Sequence, residues 1–110
     1  MVKDYCEEVK ELIEKHKEKG FEWGKPIEYL EFRNGCSREE MEKELLDYNN
    51  VEFVEKQKEE DETRYKLYIV YSFRSGRVYV LKFTEKIRII TVYPLGRTIL
   101  KKYKEKSKKS

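Results

Sequence analysis

The spacing of apolar residues changes once along this chain, near residue 50, and no other feature constrains the fold as much. Before that point apolar side chains recur every three or four residues; beyond it they alternate. In residues 2–19, Val2, Tyr5, Val9, Leu12, Ile13 and His16 share one helical face, while pairs such as Glu11 and Lys15 occupy the other. Gly20 suits the end of this helix, and residues 21–25 read as a connector. Pro26 suits the first turn of a second helix, with Ile27, Leu30 and Phe32 as its apolar side and Asn34-Gly35 as its stop. Ser37 and Glu40 have capping-box spacing and open a third helix, lined by Met41, Leu45, Leu46 and Tyr48 and ended by Asn49-Asn50.

The second half reads as strands. Residues 51–57 form one, with Val51 and Phe53 inward, and residues 58–62 an exposed acidic loop. Residues 63–73 form a longer strand with Tyr65, Leu67, Ile69, Tyr71 and Phe73 on one face and Arg64, Lys66, Tyr68 and Val70 on the other. Arg74-Ser75-Gly76-Arg77 is a hairpin turn in which Gly76 supplies a positive φ. Residues 78–84 and 87–93 are two further strands, and Pro94-Leu95-Gly96 breaks the sheet. Residues 97–106 form a short helix with Ile99, Leu100 and Tyr103 as its stripe. Helices followed by strands indicate an α+β fold: N-terminal helices packed on a four-stranded antiparallel sheet, with a short C-terminal helix. The chain divides into an N-terminal amphipathic helix (1–20), an α+β domain (21–104) and a basic disordered tail (105–110).

The 110 residues make one domain, and 38% hydrophobic residues are enough for one core. No apolar run approaches the ~20 residues of a membrane span, and no apolar segment follows Met1 as in a signal peptide. A cytoplasmic protein without a membrane partner is expected. One His and no close Cys pair leave no metal-binding spacing. There is no Gly-rich nucleotide loop, acyl-transfer triad or dinucleotide fingerprint, so no cofactor is expected. The chain has no Ala, one Gln and much Lys, Glu, Ile and Tyr, a hyperthermophile-like composition. In that setting a Cys6–Cys36 disulfide is the alternative to two buried thiols.

The net charge of +3 conceals a division: residues 1–62 sum to −9 and residues 63–110 to +12. Arg64, Lys66, Arg74, Arg77, Lys82, Arg88 and Arg97 lie in or beside strands, and Lys101 and Lys102 begin a lysine-rich end. A phosphate backbone is the natural ligand for such a surface. The competing reading is that the basic half neutralises the acidic half within one fold.

Three pieces, Tyr65-Lys66-Leu67-Tyr68-Ile69-Val70-Tyr71, Arg74-Ser75-Gly76-Arg77 and the run from Ile87 through Arg97 to Tyr103, together resemble the RelE/ParE toxin superfamily over about residues 26–104. The resemblance implies a ribosome-associated endoribonuclease that cleaves mRNA through the RNA's own 2′-hydroxyl, and an acidic antitoxin protein as partner. It places Lys66, Arg97 and Tyr103 in the catalytic positions. Arg64, Arg74, Arg77, Lys82, Arg88, Lys101 and Lys102 are the accompanying RNA-binding candidates. Such chemistry needs a base, a cation and an acid. Lys and Tyr serve at neutral pH only if neighbours lower their pKa, as a dense positive patch does. Two other functions fit the same residues: a non-catalytic RNA- or ribosome-binding protein, and a ParE-like inhibitor that binds another protein.

Overall fold

The structure, a computed structural model, describes residues 4–48, 51–72 and 75–96. The first amphipathic segment folds as α1 (Cys6–His16), buries Val9 and Ile13, and runs into one turn of 3₁₀ helix, Lys17–Lys19. Gly20, at φ 89°, turns the chain out of it. After β1 (Phe21–Trp23) comes α2 (Ile27–Asn34), stopped by Gly35 in the left-handed conformation. The capping box forms as its spacing predicts. Ser37 Oγ accepts from the Glu40 N–H at 3.1 Å, and the Glu40 carboxylate accepts from the Ser37 N–H at 3.1 Å. It opens α3 (Arg38–Asp47). Tyr48 ends this helix in the left-handed region, at φ 55°. Its hydroxyl donates to the Cys6 carbonyl at 2.8 Å, which ties the end of α3 to the start of α1.

The period-2 half folds as β2 (Val51–Lys58), β3 (Thr63–Ser72), β4 (Ser75–Phe83) and β5 (Ile87–Pro94), an antiparallel meander. The expected four-stranded antiparallel sheet needs correcting. The sheet has five strands, in the order β1-β5-β4-β3-β2, and is mixed, because β1 pairs parallel to β5. Phe21-Glu22-Trp23 is too short to show a period, so it reads as a connector. Yet it alternates apolar, charged, apolar, and it satisfies the edge of β5. The Ile87 N–H donates to the Gly20 carbonyl at 3.0 Å, and the Gly24 N–H to the Ile89 carbonyl at 2.8 Å. The expected helix over residues 97–106 and the Asn49-Asn50 stop lie outside the described residues.

The sheet has two apolar faces. On the inner one, Val9 and Ile13 of α1, Leu30 of α2, and Met41 and Leu45 of α3 pack with Val54, Leu67, Ile69, Tyr79, Leu81, Ile87, Ile89 and Val92. The outer cluster contains Phe53, Tyr68, Val78, Val80 and Leu95. A bulge between Val51 and Phe53 sends Phe53 to the outer face and Val54 inward.

Two local expectations also change. Gly76 lies inside β4 rather than at a positive-φ turn position. It is small because a Cβ there would stand 2.7 Å from Leu95 Cδ1 and collide with the Ile69 carbonyl oxygen. Phe32 does not join the apolar side of α2; it is 89% exposed. It lies two residues past buried Leu30, about 200° round the helix. Both cysteines are free and half-buried. No helix among the described residues is long and apolar enough to cross a membrane.

Candidate nucleic-acid interface

The strand cations were expected to form one basic surface. Alternation along β3, β4 and β5 instead divides them between two faces, and each lies beside a carboxylate. Arg64 and Lys82 are outer-face neighbours on β3 and β4. Arg64 pairs with Glu62 of the β2–β3 loop, and Lys82 Nζ stands 3.3 Å from the same carboxylate. These two cations hold the Glu62 carboxyl below its ordinary pKa. Arg88 on β5 pairs with Glu22 on β1, the strand that sequence reasoning missed. Lys66 also faces outward on β3, directly across from Glu55 of β2 and Val80 of β4. Arg74, Arg97, Lys101, Lys102 and Tyr103 lie outside the described residues, so of the catalytic trio the structure describes Lys66 alone.

Arg77 is on the other face. It sits beneath α3 with its side chain only 14% exposed, and Nη1 donates to Glu44 Oε1 at 2.7 Å. The Tyr79 hydroxyl donates to the same oxygen at 2.5 Å, and the Tyr71 hydroxyl donates to Glu44 Oε2. The guanidinium carbon lies 5.7 Å from the centre of the Tyr71 ring, and Nη2 reaches the Asn34 carbonyl at 3.4 Å. One carboxylate thus accepts from three side chains on the sheet. Burial works to lower the Arg77 pKa, but Tyr79 and Glu44 outweigh it and hold the guanidinium charged. Sequence reasoning did not single out Glu44, although a signal was present. Glu44 stands among Met41, Leu45 and Tyr48, at core spacing, where a charge persists only with a partner.

Tyr65, Tyr68, Tyr71, Tyr79 and Tyr93 shift the wrong way for base catalysis. Burial first, then the nearby Glu8 carboxylate, pushes Tyr65 up to about 12. Burial and Glu55 push Tyr68 up to about 12. Tyr71, Tyr79 and Tyr93 are also raised, each chiefly by burial. The positive field that would favour tyrosinate is answered on the spot by the carboxylates paired with it.

Trp23 and His16 both make contacts that join separate elements. Trp23 Nε1 donates to Glu42 Oε2 at 2.9 Å and anchors β1 to α3. His16 lies at the end of α1, its ring 5.3 Å from that of Phe83. A cavity of about 660 Å³ opens between α1, the β2–β3 loop and the end of β4, over Leu12, Tyr65 and Phe83. Its rim carries Glu59, Glu60, Asp61 and Glu62, so it disfavours phosphate. No group of three or more metal-ligating side chains occurs among the described residues.

The charge balance can therefore be redrawn. Residues 97–110 hold seven Lys/Arg against Glu105, a net of +6, which leaves residues 1–96 at −3. The geometry defines an α+β scaffold in which Arg64, Arg77, Lys82 and Arg88 are engaged internally and whose surplus positive charge lies after β5. No protein-family model, curated protein or solved structure matches this chain, so its function is argued from these residues alone.

Proposed function

We propose that this protein binds RNA, free or on the ribosome, without cleaving it, and that the contacts to phosphate come mainly from residues 97–110. The observation that carries this reading is the engagement of Arg64, Arg77, Lys82 and Arg88 by Glu62, Glu44 and Glu22. A carboxylate beside each of these cations offsets much of its positive field, so the sheet presents less net attraction to a polyanion than its Arg and Lys count suggests. Lysines with few acidic neighbours release counterions from the nucleic acid at full value. Within residues 97–110 there is one acid for seven bases.

The tyrosine shifts remove five side chains of the sheet as candidates for the base. Proton abstraction from a 2′-hydroxyl needs a base poised near neutral pH, whereas burial raises Tyr65, Tyr68, Tyr71, Tyr79 and Tyr93. Cleavage in the manner of the RelE/ParE resemblance would rest on Lys66, Arg97 and Tyr103.

One experiment tests both parts. Labelled single-stranded RNA is titrated with the wild-type protein, and mRNA is incubated with protein and ribosomes. The expected result is binding, intact RNA, and at least ten-fold weaker binding when Lys101, Lys102, Lys104 and Lys106 are changed to Gln. Cleavage that falls ten-fold or more in Arg97→Ala and Tyr103→Phe would replace this reading with a toxin-like enzyme.

A further inference from the structure

Among the described residues, Arg38, Arg64, Arg77 and Arg88 each pair with a carboxylate. The remaining arginine of those residues, Arg33 on α2, pairs with none. Its partners are aromatic. Nη1 donates to the Tyr29 hydroxyl at 3.2 Å, one helical turn back, and the guanidinium carbon lies 5.7 Å from the centre of the Tyr93 ring on β5. Phe32 stands next in the chain, 89% exposed, and Tyr29 is 48% exposed.

The helical repeat puts these groups on one stripe. Tyr29, Phe32 and Arg33 fall within about 100° of arc. They lie away from Ile27 and Leu30, which pack on the core, and from Asn34, whose Nδ2 donates to the Val92 carbonyl at 3.2 Å. Glu28 borders the stripe at Phe32, while Arg33 closes its other side, so the end that attracts an anion is the Arg33 end. A stable protein partner needs about 800 Å² of surface on each side. Two rings between charged residues provide far less. They match the size of one or two nucleobases, which stack on exposed aromatic side chains and on guanidinium planes. Residue 97, where the segment assigned to phosphate begins, is joined to Gly96, three residues past Tyr93. The stripe is therefore continuous along the chain with that segment.

We propose that Tyr29 and Phe32 stack unpaired bases of RNA and that Arg33 contacts the adjoining phosphate, so that the ligand is single-stranded rather than duplex RNA. This rests on the RNA-binding reading and names the form of RNA it takes. A guanidinium carries five donors, and the bond to Tyr29 uses one of them. Tyr93 supports its plane, and taking a phosphate separates no ion pair. In a duplex the bases are stacked on one another and present no free face to a ring.

The test compares wild type, Phe32→Ala, Phe32→Trp and Arg33→Gln for binding to a labelled mixed-sequence RNA, as a single strand and annealed to its complement. Phe32→Ala is expected to weaken single-strand binding about five-fold or more, with the salt slope, duplex binding and thermal midpoint unchanged. Phe32→Trp is expected to restore the affinity, and Arg33→Gln to reduce the salt slope by about 0.7. Equal single-strand affinity of wild type and Phe32→Ala would overturn the proposal and leave the RNA-binding reading standing. A loss of the same size on single strand and duplex would overturn it too. Self-association that Phe32→Ala abolishes, with RNA affinity unchanged, would assign the rings to a second copy and overturn it equally. Failure of the wild type to bind either RNA would remove both readings.

Discussion

The inner face of the sheet lies under three helices and holds one ion pair in its depth, Arg77 with Glu44, whose side chains are 14% and 18% exposed. The outer face receives none of those helices and keeps its pairs at the rim, as with Arg88 and Glu22 at 36% and 43% exposed. Both pairs join a basic strand to an acidic segment far away in sequence. What differs is the cost of separating them. At the rim, water replaces a lost partner almost fully. Beneath α3 a lost carboxylate leaves a guanidinium and two tyrosine hydroxyls without their acceptor. Similar charges therefore hold the fold together on one face and contribute little to it on the other.

The comparison can be broken most easily at Glu44. Glu44→Gln is expected to lower unfolding free energy by about 3 kcal/mol, read from urea denaturation. Glu44→Leu combined with Arg77→Met should recover much of that loss, since a well-packed apolar pair removes the uncompensated charge. A loss below about 1 kcal/mol in the single variant would mean that the inner pair behaves like a surface pair. Next in size is Gly76→Ala, where the new Cβ meets the Ile69 carbonyl and Leu95. About 2 kcal/mol is expected, with the outer cluster as the part disturbed.

A pH titration sharpens the comparison from both faces at once. Tyr65 on the inner face and Tyr68 on the outer are each pushed from 10.0 up to about 12. Their contribution is fully present below pH 10 and is lost as pH rises from 10 toward 12, because the unfolded chain ionises first. The denaturation midpoint should fall across that window, and Tyr68→Phe should make the fall shallower. A flat midpoint to pH 12 would contradict the burial of these hydroxyls. The smallest effect is expected at the rim, where Arg88→Gln should cost about 0.5 kcal/mol or less.

Much of this architecture is legible in the residues, and the exceptions share a cause. The change of period, the stop at Gly35 and the Ser37–Glu40 box are local, and each appears where its spacing places it. The alternation of β3 also sorts its side chains correctly, Tyr65, Leu67 and Ile69 inward and Tyr68 and Val70 outward. What escaped is non-local or too short for a pattern. Three residues of β1 carry no period, and their parallel partner is 66 residues away. Gly76 reads as a turn residue because nothing nearby in sequence reveals that Leu95 will lie over it. The charge division was plain, but its meaning was not. Composition shows that a basic half seeks an acidic partner; only the fold shows that Arg64, Arg77, Lys82 and Arg88 find it in the same chain.

The central claim is that Arg64, Arg77, Lys82 and Arg88 are already engaged and that the lysines after β5 meet the polyanion. The salt dependence of single-stranded RNA binding tests it most directly, for the wild-type protein and two variants. Removing Lys101, Lys102, Lys104 and Lys106 should reduce the log–log slope by about 3, at roughly 0.7 per phosphate contact, while Arg64→Gln/Lys82→Gln/Arg88→Gln should leave it unchanged. The reverse pattern, with a slope that falls only in the strand variant, would contradict the account and return the interface to the sheet.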